Sequence, residues 1–195
     1  NVPIEKIPGI QKKIIDKCHK AGVVSVVTTD LLLNKEEEQT PTRAEVSDIA
    51  NAILDGCDAV LLSGGVNALN GQLETIKTMN KVIMAAEGDA NYNALMETAI
   101  KSQKKDITGA IAYNVSGCAN LLNCKAIFAP TITGYTAKKI SRFRPVCPII
   151  ALSPNAATVK SLALNFGIHS FLVDELNSLD AIIEKCKIMS REVMG

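Results

Sequence analysis

The chain has 195 residues, 47% of them hydrophobic, and a formal net charge of +1 at neutral pH. That is enough apolar material to bury a core, in one large domain or two small ones. No basic tract points to nucleic acid or an anionic membrane, no signal peptide heads the chain, and no apolar run is long enough to span a bilayer.

In chain order, Asn1 to Ile7 reads as extended and proline-marked, and Ile10, Ile14 and Cys18 then predict an amphipathic helix closed by Gly22. Val23 to Val27 reads as a strand interrupted only by Ser25, with Thr28 and Thr29 at its end. Two threonines closing a strand are ordinary β-formers. Asp30 to Asn34 holds an exposed-looking triple leucine, and Lys35 to Glu38 is charged. Thr42, three residues before Glu45, predicts a reciprocal capping box and a helix starting near Arg43. Val46, Ile49, Ala50, Ile53 and Leu54 make its apolar stripe, and Gly56 reads as a left-handed stop. Ala59 to Leu62 is an uninterrupted apolar run, as expected where both faces of a parallel strand are buried, and Ser63 and Gly64 end it.

Leu73, Ile76, Met79, Val82, Ile83 and Ala86 predict a further helix, whose rhythm breaks at Gly88 to Asn91. Small polar residues between two periodic segments mark a hinge, so the expected domains are 1–88 and 89–195. From Asn93 the pattern is helix, helix, then strands at Ala126–Ala129, Pro148–Leu152 and Ser170–Val173, with helices starting after Gly134 and Asn155. Alternation of this kind argues for a parallel sheet with crossover helices. A last helix carries Ile182, Ile183, Cys186 and Met189.

The turn containing Thr131, Thr133, Gly134 and Thr136 leads from a strand into a helix carrying Lys138 and Lys139. Hydroxyls and free amides at a helix amino end can cradle a phosphate, though threonines there are equally ordinary caps. Arg142 and Arg144 read as a solvated basic helix end. The six cysteines (Cys18, Cys57, Cys118, Cys124, Cys147, Cys186) form no C-x-x-C pair and read as reduced core thiols of a cytoplasmic protein. His19 and His169 are the two histidines, far apart in sequence, so no metal ligand is assigned within the chain.

The wording is more specific than the periodicity. PTRAE followed by the SD, AN, DG and LSG pairings of 47–64, VPIEKI with QKKII in 2–15, KAIFAPTITGYTAKKISRFRP in 125–145 and PIIALSPN in 148–155 resemble pyruvate kinase over nearly the whole chain. The resemblance implies an α/β fold: the last two strand–helix units of a TIM-type (β/α)8 barrel, then a three-layer α/β/α effector-type domain with a mainly parallel sheet. It implies that the chain reaches only the later part of the enzyme. Six barrel strands, the phosphoryl-transfer lysine and the carboxylates holding Mg2+ would lie upstream, K+ ligands likewise, and the final strands of the effector domain would lie beyond Gly195.

By the same resemblance the whole enzyme transfers phosphate from phosphoenolpyruvate to ADP in glycolysis, as a homo-oligomer that can take a sugar-phosphate effector. Thr29 matches the threonine lining the site where the enolate of pyruvate is protonated, and Ser63 matches an active-site serine. Thr131, Thr133, Gly134 and Thr136 match the effector phosphate turn, with Thr133 replacing the commoner serine. Arg43 matches an arginine near the contact between neighbouring subunits. The chain departs from the family where Gly65 to Leu69 replaces Glu, Thr, Ala, Lys, Gly, removing a lysine that reaches towards nucleotide phosphates. That departure keeps a second reading open, a non-catalytic phosphate-ligand binding or regulatory module on the same fold. An unrelated α/β domain that echoes the family is the third.

Overall fold

A computed structural model describes residues 2–29, 41–62, 69–102, 106–174 and 178–194. The chain divides into two compact units, residues 1–91 and 92–195.

In the first unit a 3-10 turn at Ile4–Lys6 leads directly into α1 (Ile7–Ala21), where an extended lead-in is expected from the prolines. Pro8 lies in the first helical turn, where its missing amide donor costs nothing. Gly22 ends α1 in the left-handed conformation at φ 71°, as the sequence predicts. The helix buries Ile15 rather than Ile14, which is exposed, so its inward stripe runs one residue out of phase with the expected one.

Strands β1 (Val26–Thr29) and β2 (Ala59–Leu62) pair in parallel, Val26 opposite Ala59 and Thr29 opposite Leu62. β1 starts three residues later than the apolar run suggests. The reason is Ser25: its amide and hydroxyl donate to Asp58 Oδ2 at 2.9 and 3.0 Å, and its carbonyl accepts from the Asp58 and Ala59 amides. Ser25 thus fixes the point from which both strands set out.

Helix α2 (Arg43–Leu54) has the predicted capping box: the Glu45 amide donates to Thr42 Oγ1 at 3.3 Å, and Glu45 Oε2 accepts from the Thr42 amide. Ile49, Ala52 and Ile53 form its buried face, and Gly56 follows at φ 92°. Helix α3 (Leu69–Asp89) lies against α2, with Ile49 and Met79 buried together beside Val60 and Leu62. Gly88 does not interrupt α3; one glycine costs a helix about 1 kcal/mol relative to alanine, which packing elsewhere along α3 offsets. Val27 and Val60 face Ile15, Ala52, Ile53, Cys57 and Ala86. The opposite face of the two strands carries Val26 and Leu61, 43% and 47% exposed. The expectation that Ala59–Leu62 is buried on both faces is therefore corrected: among the described residues only one face is covered.

The second unit runs α4 (Tyr92–Ser102), α5 (Ile107–Leu121), β3 (Ile127–Pro130), α6 (Tyr135–Ser141), β4 (Ile149–Ser153), α7 (Ala156–Leu162), β5 (Ile168–Leu172) and α8 (Leu179–Met194). The three strands form a parallel sheet in the order β3-β4-β5. β4 is central and buried along its whole length, so its apolar run has no polar alternation. On one face Ala112, Ala119, Ala137, Ile140, Phe143 and Leu162 pack against Ile149 and Ala151. On the other, Val173, Cys186 and Met189 cover Ile150 and Leu152. The sheet is thus sandwiched between α5, α6 and α7 on one side and α8 on the other.

All six cysteines are free. Cys57 and Cys147 are buried and Cys18 and Cys186 are half-buried, but Cys118 and Cys124 are exposed. The last two are therefore not core thiols: Cys118 lies on the outward side of α5, and Cys124 in the turn that leaves it.

Candidate functional site

Two regions hold the residues singled out above. The first is the carboxyl end of β1 and β2, the face on which parallel barrels carry their chemistry. The register sets Thr29 opposite Leu62, so that Ser63 is the residue immediately beyond the pair. Ser63, the Asp30–Asn34 run, the Lys35–Glu38 run and Gly65 to Ala68 lie outside the described residues, and for Thr29 only the backbone is described. Arg43 is exposed at the first residue of α2.

The second region is the turn between β3 and α6. Thr131 leaves the sheet with its amide still donating to the Leu152 carbonyl at 2.9 Å. Its hydroxyl then turns back and accepts from the Gly134 amide at 3.0 Å. Gly134 stands at φ 81° and caps α6 from the left-handed region. A Cβ at Gly134 would lie 3.0 Å from Leu162 Cδ2 and 3.4 Å from Thr158 Cγ2. Glycine is required here by the approach of α7 as well as by its φ. The Gly134 amide is taken up by Thr131, which leaves one fewer of the turn's amides to meet an anion.

The Ile132 carbonyl accepts from Thr158 Oγ1 at 3.0 Å and from Ser153 Oγ at 3.3 Å, which pins the turn to the ends of β4 and α7. Held this way, Thr131, Thr133 and Thr136 line one wall of a cavity of about 620 Å³. Ile132, Leu152, Val173 and Ile182 make much of the remainder. Thr133 and Thr136 are exposed. The arrangement offers hydroxyls and the amino end of a short helix above an apolar floor, a setting for an anionic group attached to a less polar body.

Two of the basic residues near this turn, Lys139 and Arg144, have other duties. Lys139 is buried, its ammonium 2.9 Å from Asp106 Oδ2 and 5.4 Å from the centre of the Tyr135 ring. Asp106 caps α5 by accepting from the Gly109 amide. That hydrogen bond first, and the bond to Lys139 second, hold the Asp106 carboxyl below its ordinary range. Sequence reasoning missed this pair. The signal was present in an aspartate just ahead of the apolar run from Ile107, but glycine at the third helical position hides the usual capping-box pattern.

Arg144 is a correction. It was read as part of a solvated helix end, yet it is 3% exposed, with φ 47° and its guanidinium 4.1 Å above the Phe166 ring. The backbone reverses at Arg144, turning the side chain inward. Arg142 is half-buried. Among the described residues no group of three or more His, Cys, Asp or Glu side chains could hold a metal ion. No described helix is long and apolar enough to cross a membrane.

Comparison with known proteins places this geometry. A family model described as pyruvate kinase, barrel domain, matches residues 1–76, and one described as pyruvate kinase, alpha/beta domain, matches residues 109–193. A pyruvate kinase of Clostridium perfringens is 41% identical over 194 residues, covering 98% of this chain and 41% of its own length. That of Geobacillus stearothermophilus is 36% identical over 183 residues, covering 94% of this chain and 31% of its own. Among solved structures, a pyruvate kinase from Cryptosporidium parvum superposes with a TM-score of 0.89 at 32% identity, covering 98% of this chain and 39% of that one. A complex of the Cryptosporidium parvum enzyme with ADP superposes at 0.86. The chain spans about two-fifths or less of the length of these relatives. With barrel-domain and alpha/beta-domain models matched in sequence order over most of its residues, the chain belongs to the pyruvate kinase family.

Proposed function

We propose that this chain is the barrel-end and α/β-domain portion of an enzyme that transfers phosphate from phosphoenolpyruvate to ADP, giving pyruvate and ATP in the cytoplasm. The observation that carries this reading is the family match running through both units in order. Thr29 and Ser63 serve the side of the site where the enolate is protonated. The phosphoryl-transfer lysine belongs elsewhere in the whole protein. So do the ligands for Mg2+ and K+ by the family resemblance, and no catalytic step is assigned to a metal here. Phosphoryl transfer of this kind rests on positioning and on offsetting charge.

The turn at Thr131, Thr133, Gly134 and Thr136 serves a phosphate of a sugar-phosphate effector, and Arg43 lies at a contact between subunits of a homo-oligomer. The cavity beneath the turn supports the first of these, and the exposure of Arg43 supports the second. A second reading, a phosphate-binding regulatory module without catalysis, is favoured by the sequence Gly65 to Leu69, where the family's glutamate and lysine are replaced. A coupled assay for ADP-dependent pyruvate formation by the full-length gene product tests the proposal, and the two readings part on its outcome.

A further inference from the structure

We propose that the outward face of α5 is a contact between two copies of this chain, helix against helix, a surface separate from Arg43 and independent of the function proposed above. The face shows in the spacing. Ile107, Ile111, Asn114, Cys118 and Leu121 follow one another at intervals of four, three, four and three residues. That is the repeat of a coiled-coil seam, which keeps one narrow stripe turned towards a partner helix. All five are exposed, Ile107 at 82%, Ile111 at 59% and Leu121 at 81%.

Helix α5 is inverted relative to a helix that merely covers a sheet. Its inward face holds Gly109, Ala112, Ser116 and Ala119, small residues that sit close against the core, while large apolar side chains lie on the outward face. An ordinary surface helix buries its apolar stripe and turns charged residues to the solvent. No residue from Ile107 to Leu121 is charged. Leu122 extends the apolar surface, and so does Val146, whose amide donates to Asn120 Oδ1 at 3.0 Å. Among the described residues this face is left uncovered.

The charge pattern and the order of the seam select a second copy as the occupant. A face without charge offers no ion pair to a charged partner and matches another uncharged face. Asn114 sits at the middle, seven residues from Ile107 and seven from Leu121. A twofold axis through that point lays the seam along its own copy, as an isologous contact requires. It also sets Asn114 beside the partner's Asn114, and a lone polar residue of this kind in an apolar seam specifies register and the number of helices. Ala110 and Gly117 flank the stripe with little or no side chain, so the two helix axes can approach to about 8 Å, the near end of ordinary helix packing.

Sedimentation of the full-length protein across dilution tests the contact, with Asn114→Glu and Asn114→Lys as paired variants. Asn114 is exposed and its side-chain amide donates to the Ala110 carbonyl of its own helix at 2.8 Å, so either change should leave circular dichroism unaltered. Each variant alone should sediment as a species of half the parent's mass, because like charges meet at the centre of the seam. An equimolar mixture should regain the parent's mass, with one chain of each kind across the contact. Asn114→Gln should associate as the parent does. A full-length protein that is monomeric at every concentration overturns the proposal. Association unchanged in both charged variants overturns it too, and would mean that another part of the same protein covers α5. Variants that dissociate but do not recombine would assign the face to a different partner, and the proposal would fall.

Discussion

At the scale of single residues, Gly134 and Gly167 separate two reasons for a glycine. Both stand at positive φ, 81° and 66°, but a Cβ at Gly167 meets nothing within 4 Å, whereas one at Gly134 presses on buried Leu162. Gly167→Ala should cost about 1–2 kcal/mol for the left-handed backbone alone. Gly134→Ala should cost about 1–3 kcal/mol more, from overpacking against a side chain with nowhere to go. Urea unfolding of the two variants measures the difference, and equal midpoints would deny the Leu162 contact any weight. In the sequence Gly134 reads only as part of a phosphate turn; neither its positive φ nor the Leu162 contact was legible, because α7 meets the turn only once the sheet has formed. Arg144 was illegible for a like reason: its burial depends on a reversed backbone and on Phe166, neither of which leaves a periodic trace. Thr42 and Glu45, whose partners are three residues apart, were read correctly.

At the scale of elements, Asp106 joins α5 to α6 through its cap on Gly109 and its bond to Lys139. Its carboxyl is held below its ordinary range, so the folded state binds that proton more weakly than the unfolded state does. The stabilisation is present above the ordinary carboxylate range and is lost as the pH falls through the lowered value. Asp106→Ala should therefore lower the thermal midpoint at neutral pH, with the gap to the parent chain closing in acid. A gap that stays constant with pH would mean that the charge on Asp106 contributes nothing.

The turn after β3 makes its own prediction. Phosphate titration followed by amide chemical shifts should move Thr131 through Ala137, with weak affinity, and movement of Thr133 and Tyr135 should exceed that of Gly134, whose amide is already bonded to Thr131. No movement at tens of millimolar phosphate, about the weakest affinity that marks a site, would leave these threonines as structural caps. The parallel strands of this unit were legible as short apolar runs to within a residue or two, because burial on both faces of β4 imposes one. β1 was displaced because Ser25 is engaged by Asp58, 33 residues away, and the periodicity around Val23 carries no sign of that partner.

At the scale of the whole molecule, the exposed Val26 and Leu61 on one face of β1 and β2 mark a surface that the described residues do not cover. On the function proposed above, that face would line the barrel interior of the full-length protein. Arg43 is an exposed cation at the amino end of α2, where the helix dipole disfavours it, and the role proposed for it lies between subunits. Arg43→Ala should weaken self-association of the full-length protein and leave its circular dichroism unchanged; an unaltered distribution in sedimentation across dilution would count against that role. The central claim is that these two units work as part of a phosphoryl-transfer enzyme, and a coupled assay with phosphoenolpyruvate, ADP, Mg2+ and K+ tests it most directly. The account predicts ADP-dependent pyruvate formation by the full-length gene product and none by the 195-residue chain alone. A folded full-length protein that forms no pyruvate, or turnover by the chain by itself, would contradict it.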